Sequence, residues 1–313
     1  MTLPCGANDA TAFAPEPAPA DPVVRDVDAG AIRWRVRVGG AGRCLLLLHG
    51  TGASGHSWRD LVPRLARHYA VVVPDLPGHG ATRAHADPNA STIDGMAHAL
   101  HELLAVLGLR PFAIVGHSAG AAVAARMILD TTDAGADAAA ATAASPPVGL
   151  ISLNGALLPM RMIGSPLMKP LARAMASSGL VARLVSRRAT DGHALAKLVA
   201  STGSTLGADG VERYRRLLAD PSHVAGVLAM MAHWDLASLE PDLPRLGERV
   251  LLISTDGDRT IPPVYARRTR MRMPRARAMA LPSLGHLAHE EAPVRVASLI
   301  LEQLREWGGH RAG

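Results

Sequence analysis

Gly116-His117-Ser118-Ala119-Gly120 is the stretch in which this sequence offers chemistry. A short apolar run, Phe112 to Val115, leads into it, and a helix-like stretch of small residues leads out. Strand, sharp turn and helix place Ser118 at the apex, its Oγ projecting from the carboxyl end of the strand. Gly116 and Gly120 fit that reading, because a side chain at either flank would strike the neighbouring strand or helix. A serine hydroxyl is a poor nucleophile until a base takes its proton. His286, after Gly285 at the end of another predicted strand, suits that task. Asp258, in the loop after a third strand, can fix the imidazole tautomer and stabilise the imidazolium. The oxyanion then needs donors. The amide of Ala119 lies at the positive end of the helix after Ser118, and that of Thr51 lies in the turn His49-Gly50-Thr51-Gly52.

Other groups compete for these roles. Asp256 is two residues nearer its strand than Asp258 and reads as a carboxylate that hydrogen-bonds its own loop. His49, beside Gly50, reads as a structural residue of the oxyanion turn rather than a second base, and His117 belongs to the serine turn itself. His98 and His101 share a helical face, but no further ligand set accompanies them, so a solvated face is the reading and no metal or other cofactor is expected. The cluster Arg267, Arg268, Arg270, Arg272, Arg275 and Arg277 reads as a solvated helix and turn; its functional alternative is contact with an anionic lipid surface or partner.

These residues need a sheet to hold them. Cys44–Leu48, Val71–Val73, Phe112–Val115, Val148–Leu153 and Val250–Ser254 read as short, mainly apolar strands, and Arg277–Leu281 as a last strand. Helical periodicity at Ile93–Leu107, from Ser118 to about Leu129, and from about Pro293 to Trp307 alternates with them. Such alternation predicts a mostly parallel sheet covered on both faces, with sites at the carboxyl edge. Ala31–Val38 alternates apolar and arginine residues, which predicts a half-buried antiparallel strand. Residues 1–22 read as a disordered tail, 23–156 and 245–313 as the α/β core, and 157–244 as an inserted helical cap. Within the core, 131–147 reads as a flexible low-complexity insertion. The cap is rich in Met160, Met162, Met168, Met175, Met230 and Met231, and in Arg161, Arg173, Arg183, Arg187 and Arg188. Core filling and solvation account for both sets; a deformable pocket for a large flat apolar ligand is the sharper alternative for the methionines.

Composition narrows the class. Of 313 residues, 48% are hydrophobic, enough for a sizeable core. The net charge of +6 rests almost wholly on arginine, Lys169 and Lys197 being the only lysines, and reads as compositional bias rather than nucleic-acid binding. The N-terminus lacks the pattern of a signal peptide, and no run reaches the ~18 apolar residues of a membrane span. Cys5 and Cys44 form no disulfide pattern, so a reducing cytoplasm is the simplest compartment.

The order Ser, Asp, His along the chain is that of α/β-hydrolases. From about residue 23 onward the chain resembles that superfamily. LLLLHGTGASGHSWRDL, VVPDLPGHGATR, VGHSAGAAVAARM, SLNGALLP, GSTLGADGVERY, HVAGVLAMMAHWDL and LGHLAHEE together resemble the magnesium-chelatase accessory proteins of bacteriochlorophyll synthesis, the BchO type. The resemblance implies an α/β-hydrolase fold with a cap and a role near magnesium insertion into protoporphyrin IX. It also implies magnesium-chelatase subunits as partners and a place in the cytoplasm, or peripheral to the photosynthetic membrane. Two functions stand beside each other: a serine hydrolase acting on an ester, such as one of a tetrapyrrole or its precursor, and a porphyrin-handling factor with an inherited triad. Carboxylesterase, carbon–carbon hydrolase and cofactor-free haloperoxidase chemistry would use the same three residues.

Overall fold

The computed structural model describes residues 22–84, 88–133, 149–160, 179–189 and 191–309. Its strands are β1 (Val23–Ala29), β2 (Ile32–Gly39), β3 (Cys44–Leu48), β4 (Ala70–Pro74), β5 (Arg83–Ala84), β6 (Pro111–His117), β7 (Leu150–Leu153), β8 (Val250–Thr255) and β9 (Arg277–Leu281). They form one sheet in the order β1-β2-β4-β3-β6-β7-β8-β9, with β5 on the side of β2. From β4 to β9 along that order every pairing is parallel. Only β2 breaks the pattern, running antiparallel to β1, β4 and β5.

The helices are α1 (Val62–Leu65), α2 (Ile93–Val106), α3 (Ala119–Asp133), α4 (Gly179–Ala189), α5 (Gly192–Ser201), α6 (Ala208–Leu218), α7 (Pro221–His233), α8 (Pro263–Arg272), α9 (Ala288–Glu291) and α10 (Pro293–Gly309). Strand β3 shows how they cover the sheet. Leu45 and Leu47 enter one apolar cluster with Leu65 of α1 and Val296, Ile300 and Leu304 of α10. Leu46 and Leu48 enter the opposite cluster with Leu100 and Leu103 of α2 and Val123 of α3. A strand buried on both sides must be apolar at every position, and burying each such leucine contributes about 1.5–3 kcal/mol. Cys44 shares this burial, which pushes its thiol up to about 12 and leaves it without a reactive thiolate.

Helices α4–α7 lie between β7 and β8 in the chain and dock on the loops at the carboxyl edge. Gly226 of α7 sits so close to Gly78, after β4, that a Cβ on Gly226 would lie 1.9 Å from the Gly78 carbonyl oxygen. Leu195, Val199 and Tyr214 of the insertion form a small cluster with Ala53 and Leu287 of the sheet domain. Buried Glu290 of α9 accepts hydrogen bonds from Tyr214 Oη (2.7 Å) and Arg59 Nη1 (2.9 Å), and Arg83 pairs with Asp220 at 2.7 Å. The insertion is therefore fastened on several sides.

Three details differ from the sequence expectation. Strand β1 was not expected; it is an edge strand whose residues are mostly exposed, so it lacks an apolar run. Helix α3 continues to Asp133, past the expected start of the insertion at 131, with Thr131 and Thr132 donating to the Ile128 carbonyl. Leu157, Leu158, Leu236, Leu239 and Leu243, given to the cap by periodicity, pack in the cluster between the sheet and α2–α3. Residues 1–21 of the expected tail and 134–148 lie outside the described residues. No helix among the described residues is long and apolar enough to cross a membrane.

The Gly226–Gly78 contact yields a test. Gly226→Ala should destabilise the fold by about 1–3 kcal/mol, the usual cost of overpacking a site with no room to relax. Urea unfolding of the variant would measure it, and an unchanged midpoint would show that α7 is not seated on the β4 loop.

Candidate active site

Ser118 adopts φ 52°, a left-handed backbone that is rare for a residue with a side chain. Such a conformation costs of order 1–3 kcal/mol and persists only when its surroundings impose it. Here they do. The Ser118 amide donates to the Leu153 carbonyl of β7 (3.1 Å), while its own carbonyl accepts from Ala121 (3.1 Å) and Ala156 (2.9 Å). A Cβ on Gly116 would lie 2.5 Å from Ala121 Cα, and one on Gly120 2.4 Å from the Leu48 carbonyl oxygen of β3. The two glycines thus let the strand, the turn and the helix share one crowded point.

The His49–Gly52 turn abuts the same point. A Cβ on Gly50 would meet Ser118 Cβ at 2.8 Å. Ala53 N–H donates to the Gly50 carbonyl at 3.2 Å, and Gly52 has φ 77°, the geometry of a type II turn whose own hydrogen bond does not use the Thr51 amide. His49 holds this turn. Its Nε2 accepts from the Leu76 amide (2.8 Å), so its proton is on Nδ1, which donates to the Gly50 carbonyl (2.9 Å). Burial, then neighbouring His79, keeps this ring well below the usual imidazole range, so it stays neutral. Asp75, also buried, accepts from Gly55 N (2.7 Å), Arg37 Nη1 (3.0 Å) and Ala81 N (3.0 Å), tying the loops after β3 and β4 together.

Asp258 and His286 come together after β8 and β9. His286 Nδ1 lies 2.8 Å from Asp258 Oδ2, with both residues buried. Asp258 Oδ1 accepts from the Thr260 and Ile261 amides, each at 2.8 Å, which fixes the carboxylate. Asp256 is exposed and accepts instead from the Ser283 amide at 2.7 Å. With Nδ1–H committed to Asp258, the lone pair of His286 is on Nε2, where a base needs it.

His117 links the Ser118 turn to the His286 loop. Its Nε2–H donates to the His286 carbonyl at 3.0 Å, and burial followed by His289 and His286 holds the ring neutral, well below its usual range. Asn154, at φ 47° after β7, donates to the carbonyls of Gly285 (3.2 Å) and His286 (3.0 Å), and Thr255 Oγ1 donates to Gly285 (2.8 Å). Sequence reasoning assigned no role to Asn154, Asp75 or Thr255. Asparagine directly after an apolar strand was the available signal, since its short amide tolerates left-handed backbone.

Other singled-out residues lie apart. His98 faces Glu102 at 3.8 Å and His101 faces Asp130 at 4.0 Å. Arg272 pairs with Glu240 (2.8 Å), Arg277 pairs with Glu306, and Arg268 lies over the Tyr265 ring. Met230 is buried with its Sδ 3.5 Å from Thr51 Oγ1, whereas Met231 is exposed. Arg183, Arg187 and Arg188 are exposed on α4. A cavity of about 430 Å³ is lined by Arg183, Ser186, Arg187, Ala219 and Pro221, and by none of Ser118, Asp258 and His286. Arg161, Arg173, Met162, Met168 and Met175 lie outside the described residues.

The sheet order agrees with the comparisons. The chain belongs to the α/β hydrolase family, whose profile matches residues 45–299. Its solved structural neighbours include a thermophilic esterase from Thermogutta terrifontis (TM-score 0.69, 23% identity, 91% of this chain and 99% of that one). An enol-lactonase from Burkholderia xenovorans gives a TM-score of 0.68 at 20% identity over 90% and 100% of the two chains. Within the family, the chain is similar to the magnesium-chelatase 30 kDa subunit of Rhodobacter capsulatus, 37% identical over 87% of this chain and 90% of that protein.

The buried imidazoles have a pH consequence. Burial, as the first cause, holds His56, His223 and His289 at about 3 each. Arg59 and Arg37 add to this at His56, His79 at His223, and His286 at His289. Between the unfolded value of 6.5 and about 3 the unfolded chain binds protons that the native state refuses. Stability is therefore full above that window and falls as pH drops through it, by about 1.4 kcal/mol per pH unit for each ring. We expect urea midpoints to fall steeply from pH 7 to pH 5. His289→Phe should flatten the slope by one ring's share; an unchanged slope would mean that His289 is protonated in the native state.

Proposed function

We propose that the protein is a serine hydrolase of ester bonds, with Ser118 as nucleophile, His286 as general base and acid, and Asp258 as the carboxylate that orients it. The observation that carries this reading is the 2.8 Å Asp258–His286 contact, joined through the His117–His286 carbonyl bond to a turn that holds Ser118 at φ 52° between strand and helix. Ser118 Oγ attacks the ester carbonyl carbon as His286 Nε2 accepts its proton. The amides of Thr51 and Ala119 donate to the oxyanion. Collapse expels the alcohol, which takes the proton from His286 and leaves an acyl-serine. Water, deprotonated by His286, then releases the acid and restores the serine.

Ser118→Ala should abolish covalent labelling by a fluorophosphonate while the protein stays folded. Asp258→Asn should slow ester turnover by up to ~10⁴, the cost of a wrong tautomer in a serine protease, and Asp256→Asn should have little effect. Labelling that persists without Ser118, or a larger loss from Asp256→Asn, would refute the assignment.

The similarity to a magnesium-chelatase subunit supports a second reading of the biological role. In it the protein works alongside chelatase subunits and handles a tetrapyrrole, as an ester substrate or as cargo, in the cytoplasm or at the face of a membrane. Insertion methionines would line an apolar slot, and insertion arginines would meet propionates. Titrating protoporphyrin against Trp234 fluorescence, beside a fluorophosphonate competition, tests this. Saturable quenching with slowed labelling is the expected result. Quenching without protection would place the ligand elsewhere, as at the cavity beside Arg183 and Arg187. Absence of quenching would end the tetrapyrrole reading.

A further inference from the structure

The loop that carries His286 is held from two sides. Its carbonyls, at Gly285 and His286, accept from His117, Asn154 and Thr255 of the sheet domain. Its amides are accepted elsewhere. Gly285 N–H donates to Glu291 Oε1 (2.9 Å), His286 N–H to the Thr202 carbonyl (3.4 Å) and Leu287 N–H to Ser204 Oγ (2.8 Å). Thr202 and Ser204 belong to the helical insertion, just past the end of α5. The same Thr202 carbonyl also accepts from Arg259 N–H at 3.1 Å, next to Asp258. One short segment of the insertion therefore grips both the acid loop and the base loop.

Gly203 explains how it gets there. It has φ 84° and ends α5, the conformation that glycine adopts readily past a helix C-terminus. A Cβ on it would lie 1.9 Å from the Gly257 carbonyl oxygen, and a Cβ on Gly285 would lie 2.3 Å from the Gly203 carbonyl carbon. Three glycines from three loops meet, and the Thr202 and Ser204 acceptors flank the meeting point. Glu291 closes the ring by accepting from Thr205 N–H with Oε2 at 3.2 Å.

We propose that Thr202-Gly203-Ser204 is a positioning clamp that sets the Asp258–His286 geometry, so that the insertion completes the catalytic machinery as well as covering it. The clamp rests on the serine-hydrolase reading of Ser118. Ser204 touches neither substrate nor the reacting atoms; it acts through the Leu287 amide on the residue before it. Removing its hydroxyl leaves the Leu287 amide without that acceptor and leaves the Thr202 carbonyl as the insertion's remaining hold on the base loop.

The test compares Ser204→Ala with the conservative Ser204→Thr and with Ser201→Ala, an exposed control at the end of α5. Two readouts are used: the rate of fluorophosphonate labelling and ester turnover, and the low-field proton resonance of His286 Nδ1–H bonded to Asp258. Ser204→Ala should lose roughly tenfold to a hundredfold in labelling rate and kcat, as expected when a catalytic group shifts by ~1 Å. KM should change little, the low-field resonance should broaden or vanish, and Ser204→Thr should restore both. A folded Ser204→Ala with wild-type rate and resonance overturns the clamp, as does a loss confined to KM. Should wild-type protein fail to label at all, the hydrolase reading fails, and the resonance comparison alone still decides the clamp. If Ser204→Ala does not fold, Glu291→Gln, which weakens the grip on Gly285, carries the same comparison.

Discussion

A single backbone torsion governs this structure: Ser118 at φ 52°. A side-chain-bearing residue stays there only if hydrogen bonds and close neighbours leave it no alternative. That demand explains the glycine at 116 against α3, the glycine at 120 against β3, and the glycine at 50 against Ser118 itself. It also fits β3 and β6 being adjacent and parallel, since the Ser118 turn and the His49–Gly52 turn leave the sheet side by side. The fully apolar β3 then follows from its central position, with helices on each face.

Much of this was readable in the chain. Buried parallel strands announce themselves as continuous apolar runs, and β3, β6 and β8 appeared where those runs are. Strand β1 was invisible because an exposed antiparallel edge has no apolar face to show. The glycines flanking Ser118 could be argued from sterics alone. Choosing between Asp256 and Asp258 rested on distance from the strand, and the structure pairs Asp258 with His286 through a loop that amides of Thr260 and Ile261 brace.

What stayed illegible shares a cause. Asn154, Asp75, His117 Nε2, Thr202 and Ser204 act by hydrogen bonds to backbone groups far away in sequence. Such bonds leave no periodicity, because they depend on which loops the topology brings together. The same applies to Gly226 and Gly203, whose only visible trait in the chain is lack of a side chain. Periodicity likewise gave Leu157 and Leu243 to the insertion, although they pack beneath the sheet. A helical repeat says which face is apolar and nothing about what it will meet.

The two rims of the sheet bear on how the molecule behaves in a crowd of its own copies. An open sheet ends in strands whose outer amides and carbonyls could template another sheet. Here one rim is β1, with Arg25, Asp26 and Asp28 along it and Asp26 already engaged by Arg33 and Arg35 of β2. The other is β9, opened by Arg277, which is paired with Glu306 of α10. Joining two copies rim to rim would have to bury or separate those charges. The nine-stranded sheet is thus guarded against growing, and the long apolar strands that make the core stay in the middle where no neighbour can reach them.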